Sequence, residues 1–198
     1  MAEQLKGKYI AALVDDGFEQ VELTEPVKAL REAGARVEII SPQERKVKGW
    51  QHSHWGDEID VDRPLGSAHP DDYDALLLPG GAMNPDHLRM NPKAVEFVRT
   101  FVDAHKPIAA ICHGPWTLIE AGGVKGRRMT SWPSLKSDLR NAGANWTDEQ
   151  AVVDGGLVTA RKPDDIPAFN EKMIQVFAEG VQSREPAAAS SSTSRGAK

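Results

Sequence analysis

The fold class this 198-residue chain predicts is an α/β sandwich, a mainly parallel sheet with helices on both faces. Short apolar runs at Lys8–Val14, Val37–Ile40, Ala75–Leu78 and Ile108–Ile111 lack the apolar/polar alternation of a half-exposed strand. Continuous runs of this kind suit strands buried on both sides. The stretches between them repeat their apolar residues at helical spacing, which makes the unit β-α-β.

The elements follow in order. The first run closes on Asp15-Asp16-Gly17 and the second on Ser41-Pro42, both turn chemistry. Between them Val27, Leu30 and Ala33 mark a helix, with Thr24 as its expected N-cap and Gly34 at its C-terminal cap. Residues 43–74 carry little periodicity and suit a hairpin or edge strands. The third run enters Pro79-Gly80-Gly81. Asn91-Pro92 then opens a helix with Val95, Val98, Phe101 and Val102 on one face. After the fourth run, residues 126–133 suggest a strand and turn, and Leu135 and Leu139 a short helix. Asp154-Gly155 between apolar pairs predicts a hairpin of peripheral strands over 152–159. Ile166, Phe169, Met173, Val176 and Phe177 line a last helix, closed by Gly180. Residues 1–183 are expected to form one domain, and the Ala/Ser-rich stretch 184–198 a disordered tail.

Composition narrows the partners. A formal net charge of −5 and a pI near 5.7, with no basic block, argue against an electrostatic grip on nucleic acid or on a membrane. No apolar run reaches signal-peptide or membrane-spanning length, so a cytoplasmic location is expected. The single cysteine has no internal disulfide partner, and its surroundings must set its reactivity. Gly80-Gly81 lacks the spacing of a dinucleotide fingerprint, and His52-Ser53-His54, two imidazoles on one strand face, finds no third ligand. No cofactor and no metal are expected.

Chemistry collects at strand ends. In an open parallel sheet the loops after the carboxyl ends converge, and here they bring Asp15 to Glu19, Gly80-Gly81 and Cys112-His113-Gly114 together. A strand that turns sharply into a helix lifts Cys112 into the cleft as a nucleophile. The backbone N–H groups of Gly81 and His113 are the candidate oxyanion donors. Glycine at positions 80 and 81 lets the backbone approach the reacting atoms closely.

Three motifs in order, Phe18-Glu19-Gln20-Val21-Glu22, Leu78-Pro79-Gly80-Gly81 and Ala110-Ile111-Cys112-His113-Gly114-Pro115, resemble the PfpI family of intracellular cysteine peptidases and stress proteins, from about Lys8 to Gly180. The resemblance implies a flavodoxin-like three-layer sandwich of the DJ/PfpI superfamily, similar to class I glutamine amidotransferase domains. It further implies Cys112 as nucleophile, His113 as its partner, and a protonated Glu19 hydrogen-bonded to the sulfur. Family peptidases take the acidic member of the triad from a neighbouring subunit. The matching residue is Asp86, one methylene shorter than the glutamate of archaeal members, in a slightly lengthened segment.

The resemblance thus implies a homodimer or larger homo-oligomer with a shared site, a cysteine hydrolase acting in the stress response on peptide bonds or on glycated or aldehyde-modified substrates. Two alternatives stay open. One is a cofactor-independent glyoxalase-type enzyme acting on methylglyoxal, and the other a non-catalytic redox sensor.

Overall fold

Alternate residues of each buried strand point to opposite faces of the sheet, so a run apolar throughout must be covered twice. The computed structural model describes residues 3–180; the stretch 184–198, expected to be a disordered tail, lies outside the described residues. In chain order, β1 (Tyr9–Leu13) precedes the two-residue β2 (Phe18–Glu19) and α1 (Gln20–Glu32). Then come β3 (Arg36–Ser41), the hairpin β4 (Lys46–Gln51) and β5 (His54–Asp60), and β6 (Arg63–Pro64). β7 (Ala75–Leu78) leads through α2 (Met83–Met90) and α3 (Pro92–Asp103) to β8 (Ile108–Ile111) and α4 (Pro115–Glu120). β9 (Arg128–Met129), α5 (Lys136–Asn141) and β10 (Asn145–Trp146) follow. The hairpin β11 (Ala151–Asp154) and β12 (Leu157–Ala160) and the helix α6 (Ile166–Glu179) are the final elements among the described residues.

The main sheet has seven strands in the order β11-β12-β8-β7-β1-β3-β6, parallel except for β11. The chain leaves β1 toward β3 on one side and returns to β7 on the other, so the strand order reverses beside β1. Ligand sites of open α/β sheets form at such a reversal. This is a flavodoxin-like α/β fold.

The two cores show the alternation directly. Ile10, Ala12, Leu77 and Ile111 meet Leu23, Val27 and Leu30 of α1 and Phe169 and Met173 of α6 on one face. Ala11, Leu13, Leu76 and Ala110 meet Phe97, Val98 and Phe101 of α3 and Leu118 of α4 on the other.

Several expectations need correction. α1 starts five residues earlier than the Thr24 cap implied: Glu19 sits at the cap position, and the Thr24 hydroxyl donates to the Gln20 carbonyl at 3.1 Å inside the helix. Gly34, at φ +97°, follows the helix end as expected. The buried stripe of α3 is Ala94, Phe97, Val98 and Phe101, so its centre is rotated by about one residue from the valine-based face. β12 is not peripheral, since it lies inside the sheet between β8 and β11. Its four residues are all buried, the pattern of a central strand. His52 occupies the hairpin turn at φ +52°, so the two imidazoles do not share a strand face. α2 had no signal, because half of its eight residues are polar and a proline sits within its first turn.

Large side chains deep in either core carry the fold. Phe101 is fully buried between α3 and the sheet, and Phe101→Ala is expected to cost about 3–5 kcal/mol. Urea unfolding followed by far-UV circular dichroism measures this as a lower midpoint with an unchanged slope.

Candidate active site

The apolar strand β8 ends at Ile111, and the next residue, Cys112, has a left-handed backbone at φ +62°. A non-glycine residue there is strained by about 1–3 kcal/mol and persists only when its surroundings hold it. Here both peptide groups of Cys112 are pinned: its N–H donates to the Ala160 carbonyl at 3.0 Å, and its carbonyl accepts from the Trp132 N–H at 2.9 Å. Two residues on, a Cβ at Gly114 would lie 2.5 Å from the Leu78 carbonyl oxygen. Glycine is therefore the residue that lets the chain turn from β8 into α4. The result is the nucleophile elbow that the sequence predicts.

Across from it, Gly80 and Gly81 follow β7. A Cβ on Gly80 would lie 2.5 Å from Glu22 Oε2 and 2.6 Å from Cys112 Cβ, and Gly81 adopts φ +75°. Asn84, fully buried, staples this turn: its amide donates to the carbonyls of Pro79 and Gly80, each at 3.0 Å, and its Oδ1 accepts from the Asp15 N–H at 2.6 Å. The N–H groups of Gly81 and His113 both reach the Cys112 sulfur and favour negative charge on it. These are the two backbone groups expected to serve as oxyanion donors.

The carboxyl group against the sulfur belongs to Glu22, not Glu19. Glu22 is fully buried on the inward face of α1; its Oε2 accepts from the Gly80 N–H at 2.9 Å, and its Oε1 has no conventional hydrogen-bond partner. Burial pushes its pKa up to about 8, and the nearby Glu19 adds to the rise. The carboxyl is therefore neutral at pH 7, and its O–H is a donor for the sulfur. Burial and the charge on Glu22 push the Cys112 thiol upward, while the N–H groups of Gly81 and His113 pull it down. Protonating Glu22 removes the repulsion and leaves the donors.

Glu19, at the start of α1, faces the β4–β5 turn instead. Its pKa is raised by burial and held back by the charge and backbone N–H of His52. The helix start explains the exchange, because Glu19 is the extended residue before α1, outside its periodicity, whereas Glu22 lies within the helix on the buried stripe of Leu23, Pro26, Val27 and Leu30. Such apolar phasing is the signal that identifies Glu22, but a helix beginning near Thr24 hides it.

His113 is half-buried, with Nδ1 3.2 Å from the sulfur and Nε2 3.5 Å from the Ser134 hydroxyl. Its ring stacks on Trp132, at 6.0 Å between centroids, and meets Trp116 edge-on at 5.1 Å. Burial lowers its pKa, so the imidazole is neutral at pH 7 and able to accept a proton. Asp86 is exposed in the first turn of α2. The hydrogen-bond contacts of the His113 imidazole within the chain go to Cys112 and Ser134, so one chain does not join Asp86 to His113. Among the described residues no cluster of His, Cys, Asp or Glu side chains is arranged to hold a metal ion. No helix among them is long and apolar enough to cross a membrane.

A nucleophile elbow facing a Gly-Gly turn on a flavodoxin-like sheet, with a buried glutamate against the thiol, defines a cysteine-centred α/β protein. The DJ-1/PfpI family profile matches residues 8–176, and the chain belongs to that family. Its relatives include the putative cysteine protease YraA of Bacillus subtilis, 43% identical over 170 residues, which are 86% of this chain and 98% of that protein. Protein/nucleic acid deglycase 2 of Escherichia coli is 43% identical over 172 residues, again 86% and 98% of the two chains. Among solved structures, Drosophila melanogaster DJ-1beta superposes with a TM-score of 0.79 at 28% identity, covering 86% of this chain and 90% of that one.

The Glu22 proton has a measurable consequence. Folded, Glu22 keeps its proton to about pH 8, whereas an unfolded carboxyl releases it near 4.5. Unfolding thus releases a proton between these values, and stability falls as pH rises through the window, by up to about 1.4 kcal/mol per unit. Glu22→Gln removes this dependence, so its stability relative to wild type is expected to improve steadily from pH 5 to pH 8 in parallel urea titrations.

Proposed function

We propose that this protein is a cysteine-dependent hydrolase that removes dicarbonyl adducts from amino groups, a deglycase acting under carbonyl stress. The observation that carries the reading is the fully buried Glu22, raised to about 8, set against Cys112 beneath the N–H groups of Gly81 and His113. Repair of a methylglyoxal adduct is redox-neutral: the adduct and one water give the free amine and lactate. Its difficult step is a proton shift between adjacent carbons, for which a buried carboxyl on the reacting sulfur is the natural acid and base.

Cys112 gives its proton to His113 Nδ1, and the sulfur attacks the carbinol carbon. The carbon–nitrogen bond breaks, and the amine leaves with the proton from His113. Glu22 gives its proton to the neighbouring carbonyl oxygen and takes the one on the sulfur-bearing carbon, forming an enediol; it then returns that proton to the neighbouring carbon and takes the hydroxyl proton of the sulfur-bearing carbon, which turns the hemithioacetal into a thioester and leaves Glu22 neutral again. Water then releases lactate and restores the thiol. Oxyanions formed on the way lie against the N–H groups of Gly81 and His113.

The E. coli relative's name pairs protein with nucleic acid, so glycated nucleobases join glycated side chains as candidate substrates. The net charge of −5 then bears on a grip on the phosphate backbone, not on a single flipped base. A peptidase reading is favoured by the 3.2 Å Cys112–His113 pair and by the name of YraA. The reading includes a cytoplasmic homodimer or larger homo-oligomer, as the resemblance to PfpI peptidases implies, with Asp86 of a second subunit beside the site. The deglycase steps above do not require that carboxylate.

The test is release of free amine and lactate from a purified methylglyoxal-lysine adduct. Wild type is expected to exceed the spontaneous decay rate, Cys112→Ala to match it, and Glu22→Gln to lose about 10²–10⁴-fold. Adduct decay that wild-type protein does not accelerate, with lactate formed only from free methylglyoxal, would replace this reading with the glyoxalase one.

A further inference from the structure

We propose that Ser134 positions His113, completing within one chain the orientation that family peptidases take from a neighbouring subunit. The inference rests on the cysteine-hydrolase reading and adds to it the group that fixes the proton on the imidazole. Nδ1 faces the sulfur at 3.2 Å, and Nε2 faces Ser134 Oγ at 3.5 Å. With the Nε2 proton donated to that hydroxyl, the Nδ1 lone pair points at the thiol, the tautomer a base requires. Catalytic hydrogen bonds of this length tighten when substrate closes the site.

Ser134 lies on a braced segment. The Trp132 N–H holds the Cys112 carbonyl at 2.9 Å, and the Trp132 ring stacks on the His113 imidazole. The Ser131 hydroxyl donates to the Trp132 carbonyl at 2.9 Å and accepts from Trp146 Nε1 at 2.9 Å. Leu135 is fully buried, with its N–H on the Trp132 carbonyl at 3.0 Å. The segment that shapes the elbow thus delivers the hydroxyl to the imidazole.

A hydroxyl differs from a carboxylate in what it does to the proton. It accepts from Nε2–H, or donates to a bare Nε2, so it follows the imidazole through both halves of a turnover. When His113 becomes cationic on taking the thiol proton, the bond to Ser134 becomes charge-assisted and strengthens. Removing the hydroxyl therefore weakens the thiolate–imidazolium pair selectively. Ser134 is exposed, so its loss leaves the core intact.

Carbamidomethylation of Cys112, the sole cysteine, reads thiolate directly by intact mass and needs no substrate. Ser134→Ala is expected to slow the reaction about 2- to 10-fold at pH 7 and to move its pH profile upward, with an unchanged melting temperature. Ser134→Thr, which keeps the hydroxyl, restores both, and on the glycated substrate Ser134→Ala lowers kcat while KM holds. A Ser134→Ala profile superimposed on wild type overturns the inference, as does a folded Ser134→Thr that behaves like alanine. If the alkylation profile shifts as expected but no adduct is repaired, the positioning role stands and the deglycase reading falls.

Discussion

The left-handed backbone of Cys112 is the constraint on which the site depends. A residue in this conformation relaxes unless both of its peptide groups are held, and here strand β12 takes the N–H and the segment after β9 takes the carbonyl. The grip comes from sequence-distant parts of the chain, so the elbow exists only in the folded sheet. Once held, Cys112 presents its sulfur to the Gly80-Gly81 turn, which Asn84 fixes in turn to the end of β1. Rigidity at these two turns is what preorganises the N–H groups of Gly81 and His113.

A second consequence is electrostatic. Placing a thiol and a carboxyl in the same buried space leaves room for little negative charge, so the pair must share protons. Glu22 is the member held neutral, and its raised pKa is bought with burial that would be costly elsewhere in the fold. His113, neutral for the same reason and wedged between two tryptophans, is free to receive the thiol proton. Two neutral groups flanking one sulfur suit chemistry in which protons must move at several atoms in succession.

Much of this architecture could be read from the chain. Continuous apolar runs marked β1, β3, β7 and β8, and the spacing of Ile166, Phe169, Met173, Val176 and Phe177 marked α6 together with its buried face. The central position of β12 was not legible, because a hairpin signal fixes which strands are joined and says nothing of their neighbours. Helix α2 left no periodic trace, although it carries Asn84. At the site, Cys112, His113 and the two glycines stood out, but the choice between Glu19 and Glu22 depended on where α1 begins. A helix start placed five residues late conceals which carboxyl faces the core.

The sequence by itself determined the principal strands and helices and singled out Cys112, since apolar periodicity and a strand broken by Cys-His-Gly are local properties of the chain. Only the tertiary structure decided which acid meets the sulfur and which hydroxyl meets the imidazole. Glu22 is selected by the rotation of α1 against the sheet, and Ser134 by the docking of a segment 21 residues along the chain from His113. A pKa is set by neighbours in space, through lost solvent and nearby charge, and no spacing along a chain encodes those neighbours.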